Sequence, residues 1–270
     1  MKTEFVNSID KIQNPIAREA LKYFKIDFPL EITTTSEIPA QTGLGSSSAF
    51  AVGLVNALYA IKGIKASKKM IAKTAAHIEI NMLKRFIGKQ DHYACAHGGL
   101  NIFTFHEDDR VTVKPLNNIN YNYLKNNLFL FFTFKQRDTH AGHTLKKQNL
   151  GSKINNESLL RSLKDVETCK KIIQKNKHLE GLGKILSESW KFKLKNLKNK
   201  TMNELNKTYK KAIKNGAIGG KVLGAGDGGF FLFHSPLQNK KKLVRALKDN
   251  FFLNFDIDTE GTKIILNIKK

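Results

Sequence analysis

The sequence predicts an α+β protein built in two lobes, and three observations carry that expectation. Strand-like segments rich in β-branched and aromatic residues interleave with helical ones, without the regular period of a doubly wound sheet. An apolar run opening from a glycine-rich turn reads as a buried helix. A long, basic, helical stretch lies between two segments dense in phenylalanine. At 270 residues the chain suits one large domain or two small ones. We expect one lobe over 1–134 and a second over 135–270.

Taken in order, Leu30 to Ser36 reads as a strand, with Leu30 and Ile32 alternating among threonines. The apolar run from Ala49 to Ile61 is long enough for a buried helix that stops at Gly63. Ile71, Ala75, Ile78 and Met82 recur at helical spacing, which predicts a second helix from Ser67 to Lys84. Strands are expected at Leu100–Phe105, Arg110–Pro115 and Leu128–Phe134. From Glu157 to Lys214 the pattern is helical, with Leu159, Leu163, Val166 and Ile173 as one apolar stripe, and Asn215-Gly216 supplies a stop. A short strand at Lys221–Leu223, a glycine cluster, a strand at Phe230–His234, a helix at Lys240–Lys248 and strands near Phe251–Ile257 and Lys263–Ile268 complete the pattern.

Composition narrows the function classes. With 41% hydrophobic residues the chain buries a core, so wholesale disorder is excluded. No apolar stretch is long enough to span a bilayer, and MKTEFVNSIDKIQN lacks the apolar region of a signal peptide. Cys95 and Cys169 make neither a disulfide framework nor a thiolate zinc site, so a cytoplasmic protein with no membrane partner is expected. The net charge of +23 raises nucleic acid as a partner. Only six of the 46 basic residues are arginine, however, and scattered lysines mainly solvate a surface. The same positive field would concentrate anionic small molecules.

The sharpest signal is Pro39-Ala40-Gln41-Thr42-Gly43-Leu44-Gly45-Ser46-Ser47-Ser48-Ala49. Glycines let the backbone turn tightly against a ligand, and a helix starting near Ser46 aims unpaired N–H groups and its dipole at whatever occupies the turn. Those are the requirements of a phosphate site. Taken alone, the serines would merely cap the helix. No Gly-Lys-Ser/Thr follows, so this is not a Walker loop. Further on, Gly224, Gly226 and Gly229 satisfy G-x-G-x-x-G, but they precede a strand, and a dinucleotide fingerprint must follow one. Among the histidines only His140 and His143 show a zinc-like spacing, and without nearby acidic partners they read as a polar loop; Trp190 reads as a helix-packing residue.

Pro39–Ala49 as a whole resembles the second motif, P-x-x-x-G-L-G-S-S-A-A, of the GHMP kinases, with Ser48 where alanine is usual. Two further segments follow in the family's order. Glu79 stands on the next predicted helix, and Gly88-Lys89-Gln90-Asp91-His92-Tyr93 is similar to the G-x-Q-D-Q-Y variant of sugar kinases. Lys221-Val222-Leu223-Gly224-Ala225-Gly226-Asp227-Gly228-Gly229 is similar to the third motif, K-x-x-G-A-G-x-G-G, with Asp227 where glycine is more frequent. Within the superfamily the details look most similar to heptose 7-phosphate kinases.

The resemblance implies a two-lobed GHMP kinase fold. Its N-terminal lobe would be of the ribosomal protein S5 domain 2-like type, and its C-terminal lobe a ferredoxin-like α+β layer. The family carries a longer N-terminal segment with strands and a glycine-rich stretch, so the first lobe is expected to be truncated. It further implies ATP-dependent phosphorylation of a sugar or sugar phosphate hydroxyl, which depends on alignment and charge neutralisation. Gly43, Leu44, Gly45, Ser46, Ser47 and Ser48 would hold the ATP phosphates, Ser47 and Glu79 would hold Mg²⁺, and Asp91 would act on the acceptor hydroxyl. Gly224, Ala225, Gly226 and Asp227 would face the acceptor, and Lys89 could hold Asp91 ionised. Two rivals are a truncated, non-catalytic kinase-fold protein and a Lys-rich nucleic-acid-binding protein. The latter leaves all the glycine motifs unexplained.

Overall fold

A computed structural model describes residues 3–39, 42–134, 153–175, 179–196, 199–224 and 228–268. The chain forms two compact units. The first comprises Met1–Ala40, Gly45–Pro115 and Asp258–Lys270, and the second Gln41–Leu44 and Leu116–Ile257. In these units the first runs to Pro115 and takes up the C-terminal residues from Asp258.

Four helices form the core of the first unit. Helix α1 (Pro15–Tyr23) starts where the Asn14 side chain accepts from the N–H groups of Ile16 and Ala17, and proline at the first position costs no donor. Its buried Ile16, Ala17, Ala20 and Leu21 join the cluster built around α2 (Ser46–Ile61). Helix α2 is apolar on most sides and buries Ala51, Val52, Val55 and Leu58, as its run of small and aliphatic residues predicts. Helices α3 (Lys68–His77) and α4 (Gln90–His97) complete the cluster with Ile71, Ala72, Ala75, Tyr93 and Ala96. A hairpin of β1 (Asn101–Phe105) and β2 (Val111–Pro115) follows. The tail is tied back by Gly99 N–H to the Asp258 carbonyl at 2.7 Å and by Asn56 Nδ2 to Thr262 Oγ1 at 3.0 Å.

Two expected strands do not form here. Residues 30–36 and 263–268 form no strand and pair with none among the described residues. Ile265 and Leu266 are 87% and 74% exposed. Alternation of side chains selects which face a strand would bury, but a strand also needs a neighbour's hydrogen bonds.

The second unit carries α5 (Tyr121–Asn127), β3 (Leu128–Phe132), α6 (Lys153–Lys175), α7 (Gly181–Asn196) and α8 (Lys200–Lys214). It continues through β4 (Gly219–Val222), β5 (Phe230–His234), α9 (Lys240–Ala246) and β6 (Phe251–Leu253). The four strands form one antiparallel sheet in the order β4-β5-β3-β6, the strand order of a ferredoxin-like layer. Phe129 pairs with Phe233 and Phe131 with Phe231 across β3 and β5, which is what the two phenylalanine-dense segments are for. Trp190 of α7 is fully buried, its ring edge-on to Phe231 at 5.2 Å. The stripe on α6 is the exception: Leu159, Leu163 and Val166 all stay more than half exposed. Helical spacing collects apolar residues on one face, and tertiary packing decides whether that face is covered.

Candidate active site

The head of α2 is built differently from the starts of α1, α3, α5 and α8. Asn14, Ser67, Asn120 and Asn199 each cap their own helix with a side chain, whereas α2 begins at Gly45 with no side-chain cap. Gly45 sits at φ +72°, a left-handed conformation that a side chain would strain. The serines are thus not spent on capping, and the positive end of the helix dipole faces outward from the turn.

The Ser47 hydroxyl instead donates to Glu79 Oε1 at 2.6 Å, across 32 residues of sequence. Glu79 is fully buried and lies on a π-helical turn, Ile78–Met82, that continues α3. The continuous helix expected from Ser67 to Lys84 is therefore interrupted, with Leu83 N–H reaching back five residues to the Ile78 carbonyl at 3.0 Å. The wider turn shifts the face that follows it, and apolar spacing does not report such an insertion.

Two further side chains converge on the same carboxylate. His92 Nε2 lies 2.9 Å from Glu79 Oε2, and both side chains are fully buried. A carboxylate only accepts, so Nε2 carries the hydrogen. Arg85 Nη1 donates to Glu79 Oε1 and, at 2.9 Å, to Ser47 Oγ. Burial alone would raise the Glu79 carboxyl. The hydrogen bonds from His92 and Ser47 and the charge of Arg85 outweigh it and hold the group below the usual carboxylate range.

Asp91 stands in the first turn of α4, exposed, beside the glycine turn. A methyl group built on Gly45 would lie 3.6 Å from Asp91 Oδ2. Lys89 does not serve Asp91: its ammonium bonds Asp109 at 2.6 Å, on the turn of the β1–β2 hairpin. One turn along α4, burial and then the charges of Asp91 and Glu79 push the Cys95 thiol up to about 11, so it stays protonated at neutral pH.

The third glycine motif is only partly described. Gly224 occupies a turn after β4 at φ +62°, while Ala225, Gly226 and Asp227 lie outside the described residues, as do His140 and His143. Gly229, at φ +88°, meets Thr42: a methyl group there would fall 2.0 Å from the Thr42 carbonyl oxygen, which accepts from Phe230 N–H at 3.3 Å. Close backbone approach explains the glycine. Lys221, which opens this motif, is held below the usual ammonium range by burial.

An uncapped helix start, a hydroxyl and a carboxylate meeting there, and a second carboxylate on the adjoining turn can bind phosphate and a hard cation together. Among the described residues no three His, Cys, Asp or Glu side chains gather into a metal cage. One carboxylate and one hydroxyl suit Mg²⁺, which keeps waters and substrate phosphates in its shell.

Comparisons with known proteins identify the family. The GHMP kinases N terminal domain matches residues 11–99, and the GHMP kinases C terminal domain matches residues 166–252. The chain belongs to the GHMP kinases. It is 32% identical over 256 residues to the D-glycero-alpha-D-manno-heptose 7-phosphate kinase of Campylobacter jejuni, covering 93% of this chain and 74% of that protein. A D-glycero-D-manno-heptose 1-phosphate kinase structure from Bacteroides thetaiotaomicron superposes with a TM-score of 0.69 at 25% identity, covering 92% of this chain and 71% of that one. A mevalonate kinase structure shares the fold, with a TM-score of 0.70 at 20% identity over 93% of this chain and 79% of that one. These matches are to kinases and support neither the nucleic-acid nor the non-catalytic reading.

In this GHMP kinase, Ser47 meets Glu79, and Gly45 lies beside Asp91. Arg85 and His92 are the two site residues that sequence reasoning missed. His92 had a visible signal, since it replaces glutamine in the G-x-Q-D-Q-Y pattern beside Asp91. Arg85 had none, because it lies in an irregular segment outside every motif.

Proposed function

We propose that this protein transfers the γ-phosphoryl group of ATP to a hydroxyl of a heptose phosphate, in the manner of a sugar kinase. The observation that carries the reading is the Ser47–Glu79 hydrogen bond at the head of an uncapped helix, with Asp91 beside the same turn. The 32% identity to a heptose 7-phosphate kinase supports the acceptor class. Gly43, Leu44, Gly45, Ser46, Ser47 and Ser48 hold the triphosphate through backbone N–H groups, and Ser47 and Glu79 hold Mg²⁺. When bound there, Mg²⁺ supplies positive charge against the phosphate oxygens. Asp91 accepts a hydrogen bond from the acceptor hydroxyl and takes its proton as the new O–P bond forms. Gly224, Ala225, Gly226 and Asp227 are assigned to the acceptor on their motif alone. We assign the reaction to the cytoplasm, where ATP is supplied. No described helix is long and apolar enough to cross a membrane.

The test is ADP release by the purified chain given Mg-ATP and D-glycero-D-manno-heptose 7-phosphate, with mevalonate and galactose as controls. Turnover is expected with the heptose phosphate alone. Asp91→Asn should lower kcat by about 10²- to 10⁴-fold while Mg-ATP still binds. An exposed, near-isosteric change there should leave stability within about 0.5 kcal/mol. Binding of Mg-ATP without turnover of any sugar phosphate would refute the reading.

A further inference from the structure

Glu79 divides its two oxygens between different kinds of partner. Oε2 is held by His92, a neighbour as deeply buried as the carboxylate itself. Oε1 receives the Ser47 hydroxyl and the Arg85 guanidinium, and that guanidinium also bonds Ser47 Oγ. Arg85 therefore bridges the same two oxygen atoms that would ligate a divalent cation. Glu79 is 0% exposed, whereas the Arg85 side chain is 34% exposed and comes in from the solvent side.

The local backbone explains how Arg85 arrives there. Lys84, just ahead of it, adopts a left-handed φ of +53°, and Arg85 N–H bonds the Glu79 carbonyl at 3.1 Å. The chain thus reverses directly after the π-turn and returns Arg85 to a carboxylate six residues earlier. No regular element confines the side chain afterwards, since 83–89 forms neither helix nor strand. A buried carboxylate needs a counter-charge at all times, and a guanidinium is weakly hydrated enough to supply one and then leave.

We propose that Arg85 is the resident counter-ion of Glu79, and that a divalent cation binds by displacing its guanidinium from Oε1 and Ser47 Oγ. His92 keeps the carboxylate aimed while one cation is exchanged for another. The proposal rests on the reading of Ser47 and Glu79 as metal donors. It adds that cation affinity is set by competition with a residue of the chain itself.

The test titrates Mn²⁺ into the nucleotide-free protein and follows free Mn²⁺ by electron paramagnetic resonance. Arg85→Gln removes the competing charge and should tighten Mn²⁺ binding by about tenfold, the equivalent of losing one charge-assisted hydrogen bond. Without Mn²⁺ this variant should melt below the wild type, and Mn²⁺ should raise its melting temperature by more. Glu79→Gln should remove Mn²⁺ binding. If Arg85→Gln fails to fold, Arg85→Lys carries the same test, because a point charge bridges two acceptors less well than a planar fork and Mn²⁺ should again bind more tightly. Unchanged or weaker Mn²⁺ binding in the Arg85 variants, with Glu79→Gln abolishing it, overturns the displacement proposal alone. Binding that Glu79→Gln leaves intact overturns the donor assignment beneath it.

Discussion

Gly45 and Gly229 belong to different glycine motifs and share a left-handed backbone, yet the structure predicts very different costs for an added methyl group. At Gly45, φ is +72° and the nearest atoms are those of the Asp91 side chain at 3.6 Å, an ordinary contact. Gly45→Ala therefore meets only the conformational penalty of a left-handed residue, about 1 to 2 kcal/mol. At Gly229, φ is +88° and the methyl group would lie 2.0 Å from the Thr42 carbonyl oxygen and 2.7 Å from its carbon. Backbone atoms cannot rotate aside, so Thr42 must move and its 3.3 Å bond from Phe230 N–H is lost. The Gly229 carbonyl also accepts from Thr133 N–H at 2.9 Å and Thr133 Oγ1 at 2.8 Å, which resists the opposite shift. Strain, overpacking and the lost hydrogen bond together predict about 3 to 5 kcal/mol for Gly229→Ala. Urea unfolding of both variants, fitted with a common slope, measures the difference. Equal destabilisation of the two, within about 0.5 kcal/mol, would refute the argument from close backbone approach.

Other outcomes follow from the same geometry. His92→Leu removes the donor to a buried carboxylate and should cost about 2 to 4 kcal/mol in urea unfolding, while His92→Gln, which can still donate, should lose less. An equal loss in both would show that ring packing, not the hydrogen bond, matters at this position. In the second unit, His234 is fully buried with Nε2 3.1 Å from the Tyr123 hydroxyl, and burial pushes its pKa from 6.5 down to about 4. The unfolded chain then takes up a proton that the folded chain refuses. Stability is thus complete above about pH 7 and falls as pH drops through 6.5 toward 4, by about 2 kcal/mol at pH 5. His234→Asn should flatten the pH dependence of the urea midpoint over that window, and an unchanged slope would exclude His234 as its source.

The sequence by itself determined what depends on near neighbours along the chain. The extent of α2 and its glycine start, β5 at Phe230–His234, the stop after Lys214 and the order of the three motifs were all legible, because turn chemistry, capping and apolar period are local properties. Tertiary structure decided the rest. It set Ser47 against Glu79, bent α3 into a π-turn, brought in Arg85 and His92, and gave Lys89 to Asp109 rather than Asp91. It also left the α6 stripe exposed and residues 30–36 and 263–268 without strand partners. A side chain's period tells which way it points, but what it meets depends on residues tens of positions away, and the energy of a buried charge lies in that meeting.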